Sequence, residues 1–420
     1  MHRVKFVVAA ALAAWSVSIL AQAPAAPRVI AFEGARVIVG DGRAPIENAT
    51  FVVTGNRITA VGRAGQVTVP AGATRVNLAG KTVMPAILDT HTHLSQTREM
   101  LIDDLKRRAY YGVTAAQSLG QDTTDVSFQV RAETAAGKIP GAARFFTAGR
   151  GITGVEPGRT MAPHWVTTVA EARAAVDEEA TKKVDIVKFW VDDRMGMVKK
   201  LSPELYSAVI DEAHKKGLRT ITHIYTLEDA KGTLRAGVDA FAHDVRDKDV
   251  DDEFMGLVKK NPNFVIGPNM PDRGVPTDLS WLRESIPAAD FQKLQAANKD
   301  NPEAHAFWSI QARNLAKLNA AGVKIVVGTD GNTPYAPHIE MEDMVAAGMT
   351  PMQVITAATR NGAQFLRMTD VGTIEANKSA DFLVLDANPL DNITNTRKIS
   401  SVYLRGAQVD RAPFRVNQSN

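Results

Sequence analysis

The sequence predicts an α/β protein: a (β/α)8 TIM barrel carrying a composite β-sandwich domain built from the N- and C-terminal segments. Three observations predict it. Short alternating apolar segments open the chain, apolar β-branched runs then alternate with helix-length amphipathic stretches, and strand-like pieces return at the end. The chain has 420 residues, 45% hydrophobic and 23% charged, with 30 Gly and 20 Pro dispersed along it. That length suits one large barrel plus an accessory layer, and that composition excludes a disordered or fibrous chain.

Residues 1–23 read as a secretory signal peptide. His2, Arg3 and Lys5 precede an apolar run from Phe6 to Leu20, and Ala21-Gln22-Ala23 supplies a small-residue cleavage site. The run is shorter than the ~20 residues that span a bilayer, so the mature protein is expected in the periplasm or outside the cell, away from the membrane. Residues 28–83 then alternate in short pieces such as Ala35 to Val39 and Thr50 to Val53, separated by Gly-Asp-Gly and Gly-Asn turns. This predicts a small antiparallel layer, completed by residues 371–412 through Asp381 to Leu385 and Ser401 to Leu404.

Residues 84–370 carry eight strand candidates, ending near Leu94, Leu119, Gly149, Val191, Tyr225, Val245, Asn269 and Gly331. Helices are expected at Glu171 to Lys182, Pro203 to Lys216 and Glu303 to Ala320. A doubly wound sheet would want a Gly-rich phosphate turn after its first strand, and Leu88-Asp89-Thr90-His91 has none. Pro271 to Asn301 is an insertion on the face where barrel enzymes keep their chemistry, expected as a pocket wall or lid.

Lys plus Arg number 49 against 46 Asp plus Glu, and loss of Arg3 and Lys5 with the leader leaves about +1. A near-neutral surface without a basic run argues against nucleic acid. The expected partner is a small-molecule substrate, with homo-oligomerisation left open. Zero cysteine removes disulfides, thiolate nucleophiles and Cys-based zinc sites. Any metal must be held by His or carboxylate, or by an unusual ligand.

His91 and His93 lie two apart on the first barrel strand, so their imidazoles point the same way. His223 and His243 sit near the ends of later strands, on the same face. Lys188 lies within apolar Asp185-Ile186-Val187-Lys188-Phe189-Trp190-Val191. It is either a snorkelling or ion-paired lysine, or a desolvated amine that reacts with CO2 to give a carbamate able to bridge two metal ions; the surrounding histidines favour the carbamate. Asp330 ends an apolar strand beside Gly331. It is a turn residue, or a carboxylate that touches metal and accepts a proton from bound water. Two divalent cations, zinc foremost for His-rich ligation, lower the pKa of a shared water enough to yield hydroxide near neutral pH.

With Met84-Pro85-Ala86-Ile87-Leu88-Asp89-Thr90-His91-Thr92-His93, then Lys188, His223, His243 and Asp330 on later strands, the chain resembles the amidohydrolase superfamily, in its imidazolonepropionase-like and Xaa-Pro dipeptidase (prolidase-like) branch. The resemblance covers nearly the whole mature chain, including the return Gly372 to Phe382. It implies His91, His93 and Asp330 on one metal, His223 and His243 on the other, carboxylated Lys188 between them, and Asp330 as proton shuttle. Tyr225, facing the same way as His223, matches a position that stabilises an oxyanion or holds substrate; barrel packing is its other reading.

The implied function is hydrolysis of an amide bond, in a dipeptide or N-acyl amino acid, by metal-bound hydroxide. An ester, lactone, carbamate or phosphotriester would suit the same hydroxide, and a metal-binding scaffold without catalysis is the non-enzymatic alternative. Two departures stand out. Ala86 replaces the family's glycine, and Gly149-Arg150-Gly151 follows the third strand where dipeptidase relatives carry Gly-Gly-His. His164 is the substitute on offer for that histidine. Arg150 is expected to meet an anionic substrate or Glu156. His338 is expected as a helix cap, or in contact with substrate or metal ligands; His214 and His305 are expected at the surface.

Overall fold

The computed structural model describes residues 27–158 and 163–416, so the signal peptide expected at residues 1–23 lies outside the described residues. Among the described residues, no helix is long and apolar enough to cross a membrane.

The first layer is a sheet of β1 (Val29–Val37), β2 (Ile46–Thr54), β3 (Arg57–Arg63), β4 (Thr74–Asn77) and β5 (Thr82–Pro85). It also takes in β16 (Phe382–Leu385), β17 (Ile399–Leu404) and β18 (Ala407–Gln408) from the far end of the chain, in the order β18-β17-β16-β5-β1-β2-β3. The seam between the chain's two ends is antiparallel, with Leu383 opposite Met84 and Val384 opposite Val83. Aromatic rings close it: Phe32 stacks on Phe51 at 4.7 Å, Phe382 stacks on Tyr403 at 4.5 Å, and the pairs meet edge to face. Each such contact contributes about 0.5–1.5 kcal/mol beyond the area buried.

Two parallel sheets follow. One holds β6 (Ile87–Thr92), β7 (Val113–Ser118) and β8 (Arg144–Thr147). The other runs β10 (His164–Trp165), β9 (Ile152–Thr153), β11 (Val187–Val191), β12 (Thr220–Ile224), β13 (Ala240–Phe241), β14 (Val265–Ile266) and β15 (Lys324–Ile325). Backbone bonds cross both seams. Asp185 N–H donates to Thr147 O at 2.9 Å, and on the other side Thr90 N–H donates to Val327 O at 2.9 Å, with a parallel bridge from Thr92 to Gly331.

The helices lie close to their expected bounds, at Val169–Thr181, Pro203–Lys215 and Pro302–Ala320. Thr168 and Glu171 form a reciprocal capping box, and Ser202 and Asn301 accept from the first free N–H groups, each cap contributing about 1 kcal/mol. The short strands β9 and β10 were not expected. They form where His164 N–H donates to Gly151 O and Val166 N–H to Thr153 O, contacts between loop segments that no periodicity announces.

The insertion is a wall rather than a bare loop. It folds into a helix at Ala288–Ala297, and Leu282 and Phe291 bury against Tyr110 and Tyr111. With Tyr335 and Phe414 it lines an open cavity of about 560 Å3, where Tyr111 Oη donates to Ser285 at 2.7 Å.

Candidate metal centre

Strand periodicity aims the first two imidazoles together. Nε2 of His91 and of His93 both face Oδ1 of Asp330, at 3.2 and 2.9 Å. His243 Nε2 faces the other carboxylate oxygen at 3.5 Å. The rings form a continuous group, with centroids 5.1 Å apart for His91 and His93, 5.2 Å for His91 and His243, and 4.4 Å for His223 and His243. Asp330 reaches inward from a left-handed backbone (φ 52°), a conformation that costs energy for a non-glycine residue and recurs at functional sites.

Lys188 is 1% exposed on β11, its Nζ lies 5.4 Å from the centre of the Trp190 ring, and its charge acts on both His93 and His223. Gly120 makes room for it: a Cβ there would lie 2.9 Å from Lys188 Cγ and 2.6 Å from the Trp190 ring.

Outer groups set the direction of the rings. His91 Nδ1 donates to Asn269 Oδ1 at 2.7 Å, which leaves the Nε2 lone pair toward Asp330. His223 Nε2 donates to Asp192 Oδ2 at 3.0 Å, which leaves Nδ1 as its lone-pair atom. Sequence reasoning missed both Asn269 and Asp192. Each stands at or just beyond the end of a strand that carries or neighbours a ligand candidate, and a polar residue in that position was the available signal.

The electrostatics favour cation binding. Burial pushes His223 down to about 4, so its imidazole is a neutral lone-pair donor at neutral pH, and burial lowers His93 and His243 as well. Burial works to raise Asp330, but His91 and His243 outweigh it and hold the carboxyl well below its usual range. Nε2 of His91 and of His243 and Nδ1 of His93 are buried without a hydrogen-bond partner among the described residues. Buried nitrogen lone pairs beside an ionised carboxylate are the donor set a divalent metal requires, and His91, His93 and Asp330 bring ligand atoms within 4.8 Å of one another.

Three other expected residues have partners of their own. His164 Nε2 contacts Glu179 Oε1 at 2.8 Å in a separate group with Glu178, so its ring is spent on carboxylates. Arg150 stands 3.6 Å from Glu178 and donates to Pro163 O, and Glu156 pairs with Arg194 at 3.0 Å. His338 does not cap its helix. It is buried, with Nδ1 on Thr396 Oγ1 at 3.0 Å and Nε2 on Tyr111 O at 2.8 Å, which ties its helix to the C-terminal return. Tyr225 is half-buried at the end of β12, its ring over Phe307 at 6.4 Å. His214 and His305 are exposed, as expected.

A buried His-x-His strand, two further strand-end histidines, a buried lysine and a strained strand-end aspartate define a class of metal-supported hydrolases, and residues 82–409 match the family model described as Amidohydrolase family. The chain belongs to that family and is a hydrolase, of a class that acts on C–N bonds. It is 25% identical over 387 residues to an imidazolonepropionase of Deinococcus radiodurans, covering 87% of this chain and 92% of that protein. It is 24% identical over 371 residues to an enamidase of Eubacterium barkeri, covering 85% and 86%. A Xaa-Pro dipeptidase with methionine bound in its active site superposes with a TM-score of 0.73 at 23% identity, covering 90% of this chain and 99% of the other, and so shares the fold.

Proposed function

We propose that this protein is a binuclear metal-dependent hydrolase that cleaves the amide bond of a dipeptide or an N-acyl amino acid. The observation that carries the reading is the convergence of four imidazoles and the Asp330 carboxylate around one spot beside the buried Lys188 amine. We read the two parallel sheets, joined by backbone bonds at both seams, as one closed (β/α)8 barrel, with the composite sheet as its flanking domain and residues 1–23 as an export signal.

His91, His93 and Asp330 would hold one metal, His223 and His243 the other, and Lys188, carboxylated by CO2 with loss of a proton, would contribute a bridging carbamate. Divalent ions there, zinc foremost for imidazole-rich ligation, would supply Lewis acidity and lower the pKa of water. Asp330, held ionised at neutral pH, takes the proton released when water adds to the carbonyl. It returns that proton to the nitrogen as the C–N bond breaks. The hydroxyl of Tyr225 is the group available to hold the developing oxyanion.

The test is a hydrolysis screen over dipeptides, N-acyl amino acids, esters and lactones with wild type and Lys188→Ala, alongside metal analysis. The reading expects two metal equivalents, cleavage of amides, and loss of both in the variant. Metal-free protein after metal-replete expression, or cleavage confined to esters, would overturn it.

A further inference from the structure

Arg246 begins the loop beyond β13, its backbone N–H tied to Tyr225 O at 2.9 Å, so its position is fixed by the end of β12. Nη2 lies 2.6 Å from His243 Nδ1, and Nε is buried without a hydrogen-bond partner among the described residues. Burial draws its pKa down while Asp330, Asp192, Tyr225 and Asp244 pull it back, yet none of those carboxylates forms an ion pair with it among the described residues. Asp330 faces three imidazoles, Asp192 is engaged by His223 and by Arg194 at 2.8 Å, and Asp244 keeps its buried Oδ2 without a hydrogen bond among the described residues. The contrast is Arg108, which is fully buried and matched by Asp89 at 3.3 Å, whereas Arg246 is half-buried. A half-buried guanidinium without an ion-pair partner carries part of its desolvation cost uncompensated, and it stands three residues beyond His243.

The contact with His243 is also exchangeable. A neutral imidazole that offers its Nε2 lone pair carries its proton on Nδ1, and a guanidinium has no atom to accept that proton. Loading the centre through Nε2 would therefore release the fork from the ring. A planar fork of N–H donors fits a carboxylate in two parallel bonds.

We propose that Arg246 anchors a carboxylate borne by the substrate, so that the centre takes acylated amino acids and dipeptides with a free C-terminal acid in preference to their neutral counterparts. This deepens the amide-hydrolase reading and rests on it for the identity of the bond.

The test measures binding, so turnover is not needed. N-methylsulfonyl derivatives of glycine, leucine, phenylalanine and proline, which contain no cleavable acyl bond, are titrated calorimetrically into the metal-loaded protein as acids and as carboxamides. Wild type is expected to bind at least one acid about 10- to 100-fold more tightly than its carboxamide, the range of a charge-assisted hydrogen bond. Arg246→Met should bring the two within about threefold, with Arg246→Lys intermediate; circular dichroism melting checks that each variant folds. The lysine variant alone decides the matter if the methionine variant does not fold. No acid preference in wild type, or a preference that survives in the variants, would overturn the proposal. Acid preference without amide cleavage would sink the amide reading alone, and amide cleavage without acid preference would sink this one alone.

Discussion

Asp192→Ala isolates what an outer carboxylate does for a ligand candidate. In the native protein Asp192 Oδ2 accepts from His223 Nε2 at 3.0 Å, and both side chains are almost fully buried, at 10% and 9% exposure. His223 and Arg194 hold the carboxyl far below its ordinary range even though burial works to raise it, so the pair is an ionised acceptor on a neutral ring. Removal has two separable effects. Without metal, His223 Nε2 loses its acceptor in a buried position, which costs about 1–3 kcal/mol of stability. With metal, the ring is no longer held with Nδ1 toward the centre, and loss of such an outer partner costs about 10- to 100-fold in affinity, or about 1.4–2.7 kcal/mol. Chelator competition with zinc measures the second effect, and urea unfolding of the metal-free protein measures the first. Asp192→Asn, which keeps an acceptor oxygen, should recover part of both. If Asp192→Ala binds zinc as tightly as wild type, the orientation argument is wrong.

Arg108→Met should destabilise the protein by about 3–5 kcal/mol in urea unfolding, because it strands Asp89 in a fully buried site where burial already raises that carboxyl to about 6; a loss under about 1 kcal/mol would contradict the buried pair. Gly328→Ala would place a Cβ 2.8 Å from His91 Cβ and 2.9 Å from Asn269 Nδ2, so about 1–3 kcal/mol should be lost in thermal melting and zinc affinity should fall; an unchanged melt refutes the close approach. Asp343 is raised to about 7 by burial, with Arg273 pulling the other way, so its contribution to stability is complete below about pH 4 and lost as pH rises through 7. Asp343→Asn should remove a decline of up to about 4 kcal/mol across that window. Parallel pH–stability curves for variant and wild type would show that Asp343 does not titrate there.

Period-two geometry made His91 and His93 legible in the sequence, because residues two apart on a strand face one way whatever surrounds them. Lys188 stood out for a similar reason, as a charge inside an apolar strand. Asn269, Asp192 and Arg246 were not legible in that way. What places Asp192 against His223 is the parallel register that sets Trp190 opposite His223, and register between strands separated by a helix is a tertiary fact. His338 misled because a histidine near a helix start resembles a cap, whereas its surroundings are supplied by Tyr111 and Thr396, both distant in sequence.

The seam of β5 with β16 has a consequence for the order of assembly. β5 leads through Ala86 straight into β6, which bears His91 and ends one residue before His93, and β16 is the antiparallel neighbour of β5. A growing polypeptide therefore makes its first two imidazoles early but cannot clamp the strand beneath them until the closing segment has been synthesised. The clamp belongs to the finished molecule, and a product ending before Phe382 would have every nitrogen and oxygen of the candidate centre while lacking the brace that keeps the first strand in line.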